Sequence, residues 1–303
     1  MKKDLVSLKE LTRHELAAFF RVADELRHTE EKPLNGKSLA LIFQKPSMRT
    51  RVSFEVGMFQ LGGQTIYLGP EDIQLGVRET VSDIAQVLSR YVDGIVARTF
   101  SHKDVEMLAR HATVPVINGL SDLEHPCQAL ADLYTIQKWC GRLEAVRIAY
   151  IGDGNNVLHS LLQGASCVGA HLSVATPKGY EPDGAIVKQA KETAKKSGSQ
   201  IMLCHDPQKA ATEADIVYTD VWTSMGQEKE RSKRLKVFRR FQVNERVMTF
   251  AKPFAKFMHC LPAHRGEEVA KRVFEGKQSI VLDQAENRLH VQKAILVELL
   301  GRE

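Results

Sequence analysis

Ser47-Met48-Arg49-Thr50-Arg51 follows an apolar run at 38–43 that reads as a buried strand, and it opens a helical pattern ending at Gly62-Gly63. The free N–H groups and positive dipole end of a helix N-terminus suit an anion. Two hydroxyls and two guanidinium groups add the charge-assisted contacts that a phosphate prefers. The same residues would also serve as a plain serine cap followed by solvated arginines. The spacing is unlike that of a Gly-rich nucleotide loop, so it implies no nucleotide.

Further along, His125-Pro126-Cys127-Gln128 opens another helical stretch. A His and a Gln there can donate to a carbonyl oxygen and meet an amide, although a His at a helix start is also a common cap. His-x-Cys lacks the ligand spacing of a structural zinc site. Gly152-Asp153-Gly154-Asn155-Asn156 follows a strand and superficially matches a dinucleotide fingerprint. However, Val157 stands where the third glycine belongs, and the next strand runs into Thr176-Pro177-Lys178 with no acid to hold a ribose. A polar loop for a small ligand fits better. His259-Cys260-Leu261-Pro262 ends a strand in the second half. With His264 it hints at a metal, but no acidic ligand is expected at that spacing, and a buried strand-end Cys is common. Asp220, after the strand at 216–219, can pair with a ligand ammonium. Neither metal nor cofactor is expected.

These motifs need a frame. Thr12 and Glu15 form a capping box ahead of Leu16, Phe19, Phe20, Ala23 and Leu26, whose spacings of three and four predict an amphipathic helix. Strands are predicted at 38–43, 64–68, 94–97, 114–117, 146–151, 171–175, 200–204, 216–219, 257–260 and 280–282. Helical stretches at 49–61, 80–91, 128–139 and 285–300 lie among them. This alternation predicts an α/β fold of two domains, each a mostly parallel sheet flanked by helices. They span 1–139 and 140–284, with a seam at Cys140-Gly141-Arg142. Long helices join them, and the C-terminal one, 285–303, packs back. The charged run Lys229–Arg240 reads as a solvated helix face.

Length and composition agree: 303 residues exceed one ordinary core, and 43% hydrophobic with 26% charged residues is globular. A net charge of +5 without an aromatic-interleaved basic stripe does not point to nucleic acid. No apolar run approaches the roughly 20 residues that span a bilayer. The start, Met-Lys-Lys-Asp, has neither a signal core nor the look of a transit peptide. The five scattered cysteines fit a reducing compartment, so the cytoplasm is expected.

Taken together the motifs resemble the transcarbamoylase family over nearly the whole chain. The markers are Ser-x-Arg-Thr-Arg at 47–51, His-Pro-Cys-Gln at 125–128, Gly-Asp-Gly-Asn-Asn at 152–156, Asp-Val-Trp-Thr-Ser-Met-Gly at 220–226 and His-Cys-Leu-Pro at 259–262. The Ser-Met-Gly loop marks the ornithine-using branch rather than the aspartate-using one. Met48 stands where many members carry Thr, a place where the family uses the backbone N–H. The resemblance implies transfer of a carbamoyl group from carbamoyl phosphate to the side-chain amine of ornithine, in arginine metabolism. Ser47, Met48, Arg49 and Thr50 would surround the phosphate. Gln74, Arg98, His125, Pro126, Cys127, Gln128 and Arg288 would complete that site. Asn156, Asp220, Ser224, Met225, Cys260 and Leu261 would hold ornithine. Arg49, Arg98, His125 and Cys260 would be catalytic, with Cys260 either deprotonating the amine or only orienting it. The family also implies a homotrimer, or multiples of it, with the loop 71–76 reaching a neighbouring subunit.

Overall fold

A computed structural model of the chain describes residues 4–28, 30–224 and 226–301. They form two compact units: the chain up to Ala131 together with that from Glu286 onward, and Asp132–Ala285. Each division falls inside a helix, whereas the sequence places the seams at 139/140 and 284/285.

In the first unit, helix α1 (Arg13–Glu25) starts at the expected capping box. Thr12 Oγ1 accepts from Glu15 N at 3.2 Å, and Glu15 Oε2 accepts from Thr12 N at 2.7 Å. Strands β1 (Ser38–Phe43), β2 (Gln64–Leu68), β3 (Gly94–Arg98) and β4 (Val116–Leu120) make one parallel sheet in the order β2-β1-β3-β4. β1 is buried at every position after Ser38, as a central strand covered on both faces must be. On one face Ala40, Ile42, Ile95 and Ala97 pack against Ile84, Ala85, Val105 and Leu108 from two covering helices. Each larger aliphatic side chain buried there contributes roughly 1.5–3 kcal/mol.

Helix α2 (Met48–Gln60) follows β1, and α3 (Pro126–Cys140) follows β4 and carries the chain into the second unit. β1 sends the chain to one side, to β2, while β3 lies on its other side, paired Phe43 to Arg98. The crevice at the carboxyl ends of β1 and β3 is therefore the topological switch point, where open α/β sheets bind ligands.

The second unit repeats the logic. Strands β5 (Arg147–Ile151), β6 (His171–Ala175), β7 (Ile201–Cys204), β8 (Ile216–Thr219) and β9 (Lys256–His259) form a parallel sheet ordered β7-β6-β5-β8-β9. Its switch point lies between β5 and β8. Helix α4 (Asn156–Val168) follows β5, and α5 (Arg231–Phe238) lies between β8 and β9. The last helix, α6 (Val281–Leu300), runs back into the first unit.

The strand expected at 280–282 is not formed, because Val281 and Leu282 begin α6. Leu282 is 79% exposed, Gln284 N bonds Ile280 O at 2.9 Å, and Asp283 favours the positive end of the helix dipole. The strand predicted from Val114 starts two residues later, beyond Pro115, and runs to Leu120. No helix among the described residues is long and apolar enough to cross a membrane.

Candidate active site

At the first switch point, Ser47 caps α2, its Oγ accepting from Thr50 N at 3.3 Å. Arg49 and buried Thr50 follow on the first turn. Arg98 ends β3, His125 immediately precedes α3, and Arg288 arrives on α6. Arg288 Nη1 donates to Gln128 Oε1 at 2.9 Å, and its Nη2 donates to Thr50 Oγ1 at 2.8 Å. Both acceptors are fully buried. One guanidinium therefore ties α6, α3 and α2 together within the unit.

Electrostatics shows how tightly the cations gather. The Arg98 guanidinium is pushed down to about 10, by burial first and then by Arg288 and Arg49. His125 is held well below its ordinary value, again by burial and then by Arg288, Arg98 and Arg49, so the imidazole is neutral at physiological pH. Three guanidinium groups therefore act on a neutral, buried histidine. Such a cluster suits a dianion held by forked, charge-assisted hydrogen bonds.

Some expected members stand apart. The Met48 side chain is 69% exposed, in keeping with a position that offers its backbone. Pro126 is the first residue of α3, and fully buried Cys127 donates Sγ–H to Asn118 O at 3.4 Å. Burial pushes that thiol up to about 12, so Cys127 is a structural thiol. Gln74 is exposed, in the left-handed region at φ 39°. Its loop is fastened by Gln44 Nε2 donating to Leu75 O at 3.3 Å.

At the second switch point, Gly154 explains why the Gly-rich loop after β5 misfits a dinucleotide motif. A Cβ there would sit 2.3 Å from the backbone of Glu181 and Pro182, so this glycine serves chain-on-chain packing. Asn155 caps α4, its Oδ1 accepting from Val157 N and Leu158 N. Its Nδ2 donates to Asp220 Oδ2 at 2.7 Å. Asp220 Oδ1 accepts from Cys260 Sγ at 3.0 Å and from Val221 N at 2.8 Å. Asn155, which the motif reading passed over, thus holds Asp220. Asn156 beside it is half-buried on the first turn of α4.

Cys260 is buried, and its thiol is pushed well above the ordinary value by burial and then by Asp220. Its Sγ–H donates to the Asp220 carboxylate. Leu261 has φ 60°, and its N–H donates to His259 Nδ1 at 2.9 Å. The imidazole proton therefore sits on Nε2, facing Glu268 Oε1 at 3.1 Å. Behind the site, Asp132 accepts from Tyr218 Oη at 2.9 Å and from Gln284 Nε2 at 2.6 Å. Ser224 is half-buried in a turn closed by Gln227, and Met225 lies outside the described residues.

Two sequence expectations fail here. Glu268 does lie within reach of His259 and His264, but it is committed to hydrogen bonds, its Oε1 accepting from His259 and from His264 N at 2.5 Å. The run 229–240 is not uniformly solvated, because Arg234 is buried and pairs with Asp153 at 3.0 Å. A signal existed: Arg234, Phe238 and Phe241 are spaced by four and three, and all three are buried.

Two family models match the chain. The model for the carbamoyl-P binding domain of aspartate/ornithine carbamoyltransferase matches residues 3–138. The model for the Asp/Orn binding domain matches 144–299. Ornithine carbamoyltransferase from Thermococcus kodakarensis is 54% identical, over 99% of this chain and 96% of that protein. The Anoxybacillus flavithermus enzyme of the same name is 54% identical, over 98% of this chain and 96% of that protein. Among solved structures, ornithine carbamoyltransferase from Pyrococcus furiosus superposes with a TM-score of 0.97 at 53% identity, covering 99% of this chain and 97% of that one. The Thermus thermophilus enzyme gives 0.90 at 47% identity, covering 99% of both.

Proposed function

We propose a reaction from one premise, that this chain belongs to the aspartate/ornithine carbamoyltransferase family: it transfers the carbamoyl group of carbamoyl phosphate to the δ-amine of L-ornithine, releasing L-citrulline and phosphate. The observation that carries this reading is the pairing of chemistries. One switch point brings Arg49, Arg98 and Arg288 to bear on neutral His125, while the other presents Asp220 as a buried carboxylate bonded by the uncharged donors Asn155 Nδ2, Cys260 Sγ and Val221 N. The first set suits a phosphorylated acyl donor and the second an amino acid's ammonium.

In this mechanism the neutral δ-nitrogen attacks the carbamoyl carbon. The tetrahedral oxyanion collapses as the C–O bond to phosphate breaks, and the departing phosphate takes the nitrogen's proton. Arg49, Thr50, Arg98 and His125 stabilise the oxyanion and the leaving group, the usual largest contribution in acyl transfer. Asp220 pairs with the α-ammonium, with Asn156, Ser224 and Met225 at that α-amino and carboxylate end and Leu261 beside the side-chain amine. Cys260 holds Asp220 in place as a thiol donor. Incubating the protein with both substrates should yield citrulline and phosphate in equal amounts, and carbamoyl phosphate breakdown without citrulline would sink the assignment. We place this chemistry in arginine metabolism in the cytoplasm.

Activity should rise with pH between 7 and 9. Attack needs the deprotonated amine, and an amine with a pKa of about 10.4, like that of lysine, is mostly protonated below that range. His125 is already neutral there and contributes no inflection. At low ornithine, log kcat/KM should climb nearly in step with pH. A flat profile would mean that a step other than amine attack limits the rate.

A homotrimer with shared sites accounts for two further features. Helix α2 leaves Val52, Val56 and Phe59 exposed at spacings of four and three, beside the exposed Ile66 of edge strand β2. Such an apolar stripe on a folded unit suits a subunit interface. Gln74 projects in a strained backbone conformation, the kind retained where function requires it. Gln74 donated to a neighbour's phosphate cluster predicts intersubunit complementation. Arg49→Ala and Gln74→Ala, each inactive alone, should recover part of the wild-type rate when unfolded and reassembled together. Mixed trimers without activity would place each site within one chain.

A further inference from the structure

Arg234 is buried on α5, yet it touches three separate stretches of the second unit. Its Nη1 lies 3.0 Å from Asp153 Oδ2, in the Gly-rich loop after β5. The same nitrogen donates to Trp222 O at 2.8 Å, two residues beyond Asp220 and two before Ser224. The guanidinium also lies 4.9 Å from the centre of the Tyr180 ring, in the segment that packs on Gly154, and Tyr180 O accepts from Gly154 N at 2.9 Å. Trp222 is pinned from the other side by Phe238, one turn along α5, with ring centroids 5.8 Å apart. Glu230 holds Nε at 3.2 Å.

Asp153 is the acid nearest in sequence to the capping Asn155 that holds Asp220, and the negative charge of Asp220 bears on it. Two buried carboxylates so placed would repel unless a cation served one of them. Arg234 serves Asp153, which leaves the Asp220 charge for a ligand. It also fixes both loops that frame Asp220.

We infer that the Asp153–Arg234 pair is a positioning device for ornithine: it locks the loop after β8 against the loop after β5 so that Asp220 and Ser224 present to the α-amino acid end in one geometry. Neither residue touches the substrate. The inference rests on the assignment of ornithine to the Asp220 cluster, and it gives a role to Asp153 and Arg234, to which the family resemblance assigns none. Because the two residues act as a unit, their substitutions should be non-additive.

The test uses Asp153→Asn, Arg234→Gln, the double variant and Arg234→Lys in the full chain. Each is measured for ornithine KM, for kcat and for carbamoyl phosphate affinity by direct titration. Arg234→Gln alone should raise ornithine KM by about tenfold or more, and the double variant by no more than that single change. Arg234→Lys, which keeps the charge but loses the planar group that holds Glu230 through Nε while Nη1 meets Asp153 and the Trp222 carbonyl, should fall between. Carbamoyl phosphate affinity should stay within about twofold in all, which a general loss of structure would not allow. If the lone uncompensated Asp153 prevents Arg234→Gln from folding, the neutral double variant and Arg234→Lys carry the test. Folded variants with wild-type ornithine KM, or single effects that simply add, would overturn the inference. Wild-type protein that makes no citrulline would instead overturn the functional assignment itself.

Discussion

Replacing His125 with alanine is expected to lower kcat by about 10²–10³ while leaving carbamoyl phosphate binding nearly intact. The expectation follows from how the site divides its work. Arg49, Arg98 and Arg288 are proposed to supply the positive charge that holds a dianion in the ground state, and all three remain in the variant. His125 is buried among them and held neutral, so it adds little to ground-state charge attraction. Its imidazole N–H matters most as negative charge grows on the carbamoyl oxygen, and an interaction stronger in the transition state than in the ground state appears in kcat. Steady-state kinetics together with a direct titration separate the two quantities. A variant with near-normal kcat would remove His125 from the mechanism, and one that lost binding and kcat equally would make it a ground-state ligand.

Asp220→Asn should act on the other substrate. The change keeps the side chain's shape but removes the charge proposed to meet the α-ammonium. It also leaves Asn155 Nδ2 and Cys260 Sγ without the carboxylate they now share. Breaking one side of a buried charge pair typically costs about 2–5 kcal/mol, so ornithine KM should rise by about 30-fold or more. Carbamoyl phosphate affinity should barely move, because Asp220 and the arginine cluster belong to different units of the chain. Collapse of carbamoyl phosphate affinity in this variant would contradict that division of labour.

The legible parts of the molecule are those in which neighbours in sequence are also partners. The capping box at Thr12 and Glu15, the serine cap of α2 and the apolar runs of β1, β6 and β8 are local, and they form as their residues dictate. Placing motifs directly after strands was enough to put Ser47, Arg98, Asp220 and Cys260 at strand ends. That Ser47 and Arg98 flank one switch point and Asp220 lies at the other depends on strand order, which periodicity does not encode. The run 280–282 was ambiguous because three apolar residues suit a buried strand or a helix start. Asp283 in the first turn was the deciding signal.

Long-range polar pairing was the least legible part. The spacing of Arg234 to Phe238 and Phe241 marks it as inward-facing, but its partner Asp153 lies on a loop far away in sequence. The same holds for Glu268 beneath His259, and for Asp132, which collects Tyr218 and Gln284. Motif reading finds residues placed to meet a ligand. It passes over those that hold them, such as Asn155, which stands one position from the asparagine that the motif assigns.

The central claim is the identity of the amine acceptor, and the most direct test is a side-by-side comparison of acceptors at saturating carbamoyl phosphate. Putrescine and N-acetylornithine differ from L-ornithine at the end that Asp220 and the 220–226 loop would hold, whereas aspartate keeps that end and differs at the nucleophile. Putrescine lacks the α-carboxylate, N-acetylornithine has no α-ammonium, and aspartate has no side-chain amine. Product formation with ornithine should exceed that with each of the others by several orders of magnitude in kcat/KM, because a site built for a charged group rejects analogues lacking it by about 10⁴–10⁵. Comparable turnover of putrescine or N-acetylornithine would contradict the account, since neither presents the full α-amino acid end for which the Asp220 cluster is proposed.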